Sequence, residues 1–185
     1  LDELGPLRWT PPTAPPWTCP DGFGGETALA DYRGKPVIVI FFLGMGCVHC
    51  VDQLLAFAPE YERFREAGLE LVAIGTDSIE EMKESQADRD EEEAYGFPIL
   101  SNVDLDLFRT YRAYDDFEDV PLHGTYLIDG AGRVRWIDVS YEPFMDWEFL
   151  LEESVRLLGL PEPSAVGPVS GPTRPAADGA SGGQE

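Results

Sequence analysis

A mixed α/β sheet with helices on both faces is the architecture this sequence predicts, and three observations carry the prediction. Residues 37–43, Val-Ile-Val-Ile-Phe-Phe-Leu, are an unbroken run of β-branched and aromatic residues, the pattern of a central strand covered on both sides. Helix-period and strand-like segments alternate after it, as in βα units. Near the end two strand-like runs flank Asp129-Gly130-Ala131-Gly132, a tight-turn sequence that makes the last pair antiparallel.

The elements follow in order. Six prolines among the first 20 residues block regular helix and predict an extended arm over 1–20, pinned by Leu7, Trp9 and Trp17. Residues 23–32, broken by glycines, read as a turn or small hairpin. After the 37–43 strand, Gly44, Met45 and Gly46 end it. Leu54, Phe57, Tyr61 and Phe64 then recur at spacings of three and four, an amphipathic helix that finishes near Gly68 and is interrupted at Pro59. Residues 69–74 read as a second buried strand. Ser78 followed by Glu81 is a capping box opening a solvated, acidic helix over 79–93. A short strand over 97–100 and a helix over 105–114 come next. Strands over 124–128 and 134–139 and a closing helix over 144–158 complete the order. Trp136, Phe144, Met145 and Trp147 are assigned to packing between helix and sheet.

Length and composition bound the function. The 185 residues suffice for one well-buried core, not for two ordinary domains. The expected organisation is an arm over 1–20, one domain over 21–160 and a disordered Pro, Gly, Ala and Ser-rich tail over 161–185. Thirty-five acidic against 13 basic residues give a net charge of −22, which argues against nucleic acid or anionic lipid as partner. The longest apolar stretch, 37–46, is about half of what a membrane-crossing helix needs, so no membrane insertion is expected. The chain opens on Leu1, which leaves a removed leader, and with it a cytoplasmic or exported location, open.

The chemistry is expected in Cys47-Val48-His49-Cys50. Two cysteines at i and i+3 share one side of a first helical turn, within reach of a disulfide. Free amide N–H groups and the helix dipole favour a thiolate most strongly at the first cysteine, so Cys47 is the expected nucleophile and Cys50 its resolving partner. A charged His49 between them favours the thiolate further. Structural zinc usually takes four ligands, and the chain has three cysteines and two histidines without a second close pair.

The segment Phe41-Phe42-Leu43-Gly44-Met45-Gly46-Cys47-Val48-His49-Cys50, with Leu71 to Asp77, with Leu29 to Pro36 before it and with Gly124 to Val134 near the end, resembles the thioredoxin-like superfamily. Its nearest branch is the peroxiredoxin-like redoxins, the alkyl hydroperoxide reductase and thiol-specific antioxidant group, and the resemblance covers about residues 20–158. It implies a thioredoxin-like fold and thiol redox chemistry. By position Cys50 falls where peroxiredoxins keep the cysteine that attacks peroxide, Cys47 where they keep a threonine, and His123 where they keep a peroxide-binding arginine. Gln53 falls where they have glutamate, and no proline stands between Cys47 and Cys50. The dithiol fits the thioredoxin pattern, and His49 before Cys50 is similar to the histidine of the oxidising periplasmic thiol-disulfide enzymes. The residue facing the dithiol in thioredoxins, a cis-proline, aligns near His123, with Pro121 two residues earlier.

The leading expectation is therefore a thiol-disulfide oxidoreductase with Cys47, Cys50, His49 and His123 at its site, no cofactor, and a dithiol protein as electron donor or acceptor. Its substrate is then a disulfide-containing protein. The first alternative is a thiol-dependent peroxidase acting on a small peroxide, with one cysteine oxidised to sulfenic acid and the other resolving it. The second is a non-enzymatic copper-binding or redox-sensing protein, since two thiols and an imidazole suit a soft ion. Cys19 is read as a partly buried free thiol, with resolution of a sulfenic acid as its other possible use. Asp115, Asp116, Glu118 and Asp119 are read as a solvated loop without the ligand spacing of a calcium site.

Overall fold

Thr18–Pro20 (β1), the end of the expected arm, pairs antiparallel with Glu26–Ala28 (β2), so the hairpin starts earlier than the 23–32 segment read for it, in a computed structural model that describes residues 10–22, 24–86 and 95–163. The anchors Leu7 and Trp9, residues 87–93 of the acidic helix and the tail from residue 164 lie outside the described residues. Val37–Phe42 (β3) is buried at all six positions. Val48–Phe57 (α1) follows it, then a 3₁₀ turn over Ala58–Glu60 and Tyr61–Glu66 (α2). The break falls at Pro59 because proline has no N–H for the helical ladder and its ring crowds the preceding turn.

Glu70–Gly75 (β4) leads into Ile79–Gln86 (α3). The capping box forms as expected: the Ser78 N–H donates to Glu81 at 2.8 Å, and the Glu81 N–H donates to Ser78 Oγ at 3.2 Å. Ile99–Ser101 (β5) and Asp106–Thr110 (α4) come next, the helix shorter than its apolar pattern implied. Tyr114–Asp115 (β6) and Val120–Pro121 (β7) pair as a two-residue ladder within the acidic loop, which is thus partly regular. Asp115 accepts from the Phe117 and Glu118 N–H groups in the turn between them. His123–Ile128 (β8), Val134–Ser140 (β9) and Trp147–Leu158 (α5) complete the chain.

The main sheet runs β5-β4-β3-β8-β9. β3 lies parallel to β4 and antiparallel to β8, so the sheet is mixed, as predicted. Side chains alternate across β3. Ile38, Ile40 and Phe42 pack with Leu54 and Phe57 of α1, Phe64 of α2, Met82 of α3 and Leu150 and Leu151 of α5. Val37, Val39 and Phe41 face the other way, onto Ala14, Trp17 and Cys19 of the arm and Phe108 of α4. Helices therefore cover both faces, and each fully buried Phe, Leu or Ile stabilises the fold by about 1.5–3 kcal/mol. Trp17 anchors the arm on the second face, and the arm backbone adds bonds from Ala14 N–H to the Gly132 carbonyl and from Val134 N–H to the Pro12 carbonyl.

Two features of this frame place the site. Pairing of Phe41 with Gly124 puts His123 level with the carboxyl end of β3, where α1 begins. Gly75 allows the end of β4 to approach the tip of the Phe42 ring, which a Cβ at that position would overlap. Among the described residues no helix is long and apolar enough to cross a membrane.

Candidate active site at the β3–α1 junction

Cys47 is the residue that caps α1, with extended backbone (φ −92, ψ 113), and it is half-buried. Its N–H donates to the Gly44 carbonyl, and its own carbonyl accepts from the N–H groups of Cys50 and Val51. Cys50, one turn on, is fully buried with 0% exposure. Helical spacing and the two sulfurs' shared side of the first turn suit a local disulfide, because Cα atoms at i and i+3 of a helix fall in the range a disulfide spans. Both cysteines are free thiols here.

The Cys50 sulfur has two further neighbours. The Leu43 N–H donates to it at 3.3 Å, and His123 Nε2 lies 3.1 Å from it. The other ring nitrogen, Nδ1, is 2.9 Å from the Tyr141 backbone carbonyl. A carbonyl only accepts, so Nδ1 carries the ring proton, and in the neutral imidazole Nε2 is the bare acceptor that takes the Cys50 S–H. Burial holds His123 below the ordinary histidine value, although the Tyr141 carbonyl and Glu142 favour its charged form. Burial likewise pushes the Cys50 thiol up to about 12; its pairing with Cys47 adds to the rise and the Leu43 N–H opposes it.

Asp77 shapes the approach from β4. Its carboxylate accepts from the Met45 N–H at 2.7 Å, tying the glycine-flanked turn before Cys47 to the loop after β4. Gly44 takes a left-handed φ of 102°, and a Cβ there would come 2.8 Å from Asp77 Oδ1, so both the conformation and the close approach call for glycine. Burial raises the Asp77 carboxyl above its ordinary range against the pull of the Met45 N–H.

Of the four residues expected from sequence, Cys47, Cys50 and His123 come together, their donor atoms all within 4.8 Å of one another. His49 does not join them: its Nδ1 faces Glu142 at 3.6 Å, with both side chains exposed to solvent. The three clustered donors are a set that a soft ion accepts, and within the set the Cys50 sulfur and His123 Nε2 lie within hydrogen-bond distance of each other. Cys19 sits on the opposite side of the sheet, in the cluster beneath the arm, so the sheet separates it from the dithiol. Among the described residues no peptide bond is cis, Pro121 included. Asp77 and the Tyr141 carbonyl were missed by sequence reasoning. In the sequence Asp77 only closes the Leu71 to Asp77 segment with no role of its own, although the glycine at 44 was a signal that something approaches closely there.

Residues 12–137 match the model of the AhpC/TSA family. The chain belongs to that family. Among curated AhpC/TSA relatives, a peroxiredoxin of Thermoplasma volcanium is 31% identical over 117 residues, covering 61% of this chain. The chain spans only 57% of that relative's length. A chloroplastic peroxiredoxin Q of Sedum lineare is 31% identical over 148 residues, covering 79% of this chain and 75% of its own. The fold agrees with a reduced 2-Cys peroxiredoxin of Plasmodium vivax, with a TM-score of 0.69 at 21% identity over 80% of this chain and 94% of that one. The AhpC of Mycobacterium bovis superposes with a TM-score of 0.70 at 14% identity over 83% and 94%. The expected thioredoxin-like α/β fold and peroxiredoxin-like branch are therefore both found, and the family is one of thiol-based redox proteins. Within it this AhpC/TSA chain carries a Cys-x-x-Cys pair with His123 against its second sulfur.

Proposed function

We propose that this protein is a thiol-dependent peroxidase whose two catalytic sulfurs, Cys47 and Cys50, lie in one helical turn. The observation that carries the reading is the cluster of Cys47, Cys50 and His123 within 4.8 Å in a chain of the AhpC/TSA family. Spacing alone favoured disulfide exchange as the main activity; membership of that family favours the peroxide reading, and exchange then becomes the regenerating half of the same cycle.

Cys47 is half-buried and Cys50 fully buried, so Cys47 is the more accessible sulfur and the one that meets the peroxide, at the N-terminal end of α1 where the helix dipole favours its thiolate. The thiolate attacks one peroxide oxygen, the O–O bond breaks, and the leaving oxygen takes a proton to become water or an alcohol. Cys47 is then a sulfenic acid. Cys50 attacks that sulfur, the S–S bond forms, the S–O bond breaks, and water leaves. Two electrons from an external dithiol protein reopen the disulfide by exchange through a mixed disulfide. The substrate class is a small peroxide, and the cycle needs no metal, nucleotide or flavin. His49, facing Glu142, modulates charge at the rim.

The test is single turnover of the fully reduced protein with one equivalent of hydrogen peroxide. The native protein is expected to lose two thiols per peroxide, Cys50→Ser to accumulate a Cys47 sulfenic acid that dimedone traps, and Cys47→Ser to lose at least a hundredfold in rate. Peroxide consumption that survives Cys47→Ser moves the attacking role to Cys50, where the resemblance to peroxiredoxins places it. A native protein inert to peroxide but active on a protein disulfide restores the exchange reading.

A further inference from the structure

We propose that His123 is the general base of the resolving step, taking the Cys50 proton as Cys50 closes the disulfide onto Cys47. The inference rests on the dithiol assignment above, but not on peroxide being the substrate.

The geometry is that of a base already aimed. His123 Nε2 lies 3.1 Å from Cys50 Sγ, inside the reach a general base needs. The Tyr141 carbonyl at 2.9 Å holds the ring proton on Nδ1, so the lone pair at Nε2 points at the sulfur. The ring is 4% exposed, which keeps water from competing for that lone pair. Tyr141 is itself fastened, its hydroxyl donating to Asp115 at the end of β6. The Cys-His arrangement is a recognised way to activate a thiol, and here the activated thiol is the second cysteine.

The chemistry of Cys50 requires such help. A thiol buried from water, with the acidic Asp77 and the Cys47 sulfur as neighbours, holds little thiolate at neutral pH. If the proton leaves for Nε2 while the S–S bond forms, no free Cys50 thiolate has to exist. In the sulfenic acid route the proton passes from His123 to the departing hydroxide, which leaves as water. In a mixed-disulfide route it accompanies the departing thiolate. In both routes His123 ends neutral, and the electron pair of the Cys50 S–H bond becomes the sulfur nucleophile. The groups that face the pair are Cys47, the Leu43 N–H and Asp77 on the cysteine side and the Tyr141 carbonyl, Glu142 and His49 on the imidazole side.

The resolving step can be watched without peroxide by mixing reduced protein with 5,5′-dithiobis(2-nitrobenzoate) in stopped flow. Attack by Cys47 releases one thionitrobenzoate at a rate proportional to reagent. Attack by Cys50 on the mixed disulfide releases a second, in a phase independent of reagent concentration. In His123→Gln that second phase is expected to slow about a hundredfold at pH 7 and to rise nearly tenfold per pH unit, because hydroxide must now remove the proton. The native phase is expected to be level at and above pH 6.5 and to lose rate only in more acid solution, because the base must be neutral and burial lowers His123 from its ordinary value. A second phase in His123→Gln within threefold of native, or a native profile that climbs tenfold per unit from pH 5 to 9, overturns the proposal. The native profile needs no variant, so a misfolded substitution leaves the test intact. A native protein that passes this test yet ignores peroxide refutes the peroxidase reading alone.

Discussion

Cys47 and Cys50 are the same residue type one turn apart, yet their surroundings make them different reagents. Cys50 is sealed in the core while Cys47, at the cap of α1, is only half-buried. Iodoacetamide at pH 8 is therefore expected to modify Cys47 within minutes and to leave Cys50 and Cys19 intact in the native protein, read by peptide mass spectrometry; equal labelling of Cys50 contradicts the burial. The same burial has a stability consequence. Cys50 is pushed up to about 12 and Cys19 to about 11, in both cases chiefly by burial, from an ordinary 9.0. Between those values the native chain keeps protons that the unfolded chain releases, so the unfolded state binds fewer and stability falls as pH rises above about 9. Buried Tyr111 and Tyr126 shift upward too, also through burial, and reinforce the trend. The urea midpoint is expected to be lower at pH 10 than at pH 8, with a smaller drop in Cys19→Ala. At this scale the dithiol was legible because two cysteines at i and i+3 leave a direct mark in the sequence, and His123 was legible through resemblance. The Tyr141 contribution was not, since it is a backbone carbonyl and any residue would supply it. His49 looked catalytic from its place between the cysteines, but the second position of α1 points toward Glu142.

The elements hold the site through a few cross-links, and Gln53 is one whose chemistry can be tested. It is fully buried on α1, and its Nε2 donates at 2.9 Å to the Phe144 carbonyl at the approach to α5. Gln53→Glu replaces that donor with a carboxylate facing a carbonyl oxygen, leaving an acceptor buried without a partner, at a cost of about 1–3 kcal/mol. A protonated glutamate can donate again, so the deficit in the urea midpoint is expected to shrink as pH falls toward 4; a variant as stable as native at pH 7 shows that the Phe144 carbonyl does not depend on the amide. Phe144 also packs edge-on against Trp136 at 5.0 Å between ring centres, so the link joins α1, β9 and the start of α5. The long elements were readable because hydrophobic period reports directly on which face is buried, as in β3 and α1. The β6–β7 ladder was not, because two-residue strands have no period, and Asp115 and Asp119 signal only a turn. The Pro59 interruption was readable for the opposite reason: a missing N–H acts locally, whatever the tertiary context.

At the scale of the whole molecule the decisive quantity is charge. A net −22 surrounds a dithiol whose own rim includes Asp77 and Glu142. A neutral peroxide is indifferent to that field, which suits an oxidant of that class. The reductant is another matter, since exchange proceeds through an attacking thiolate that carries its own negative charge toward an acidic surface. Compared per thiolate, reduction of the Cys47–Cys50 disulfide by cysteamine, whose ammonium offsets the sulfur's charge, is expected to be about tenfold faster than by 3-mercaptopropionate at low ionic strength. The gap should close to less than threefold at about 0.5 M salt, where the screening length falls to a few ångströms. Stopped-flow tryptophan fluorescence can follow the reduction. Equal rates for the two thiols at low salt, or a difference that salt leaves unchanged, removes long-range charge from the selection of the electron donor and confines it to contacts at the α1 rim, where the exposed Val48 and the His49–Glu142 pair lie. A cation-bearing reductant that wins only at low salt implies instead a protein donor with a basic surface around its own attacking cysteine, because only such a surface turns the acidity of this chain from an obstacle into an attraction.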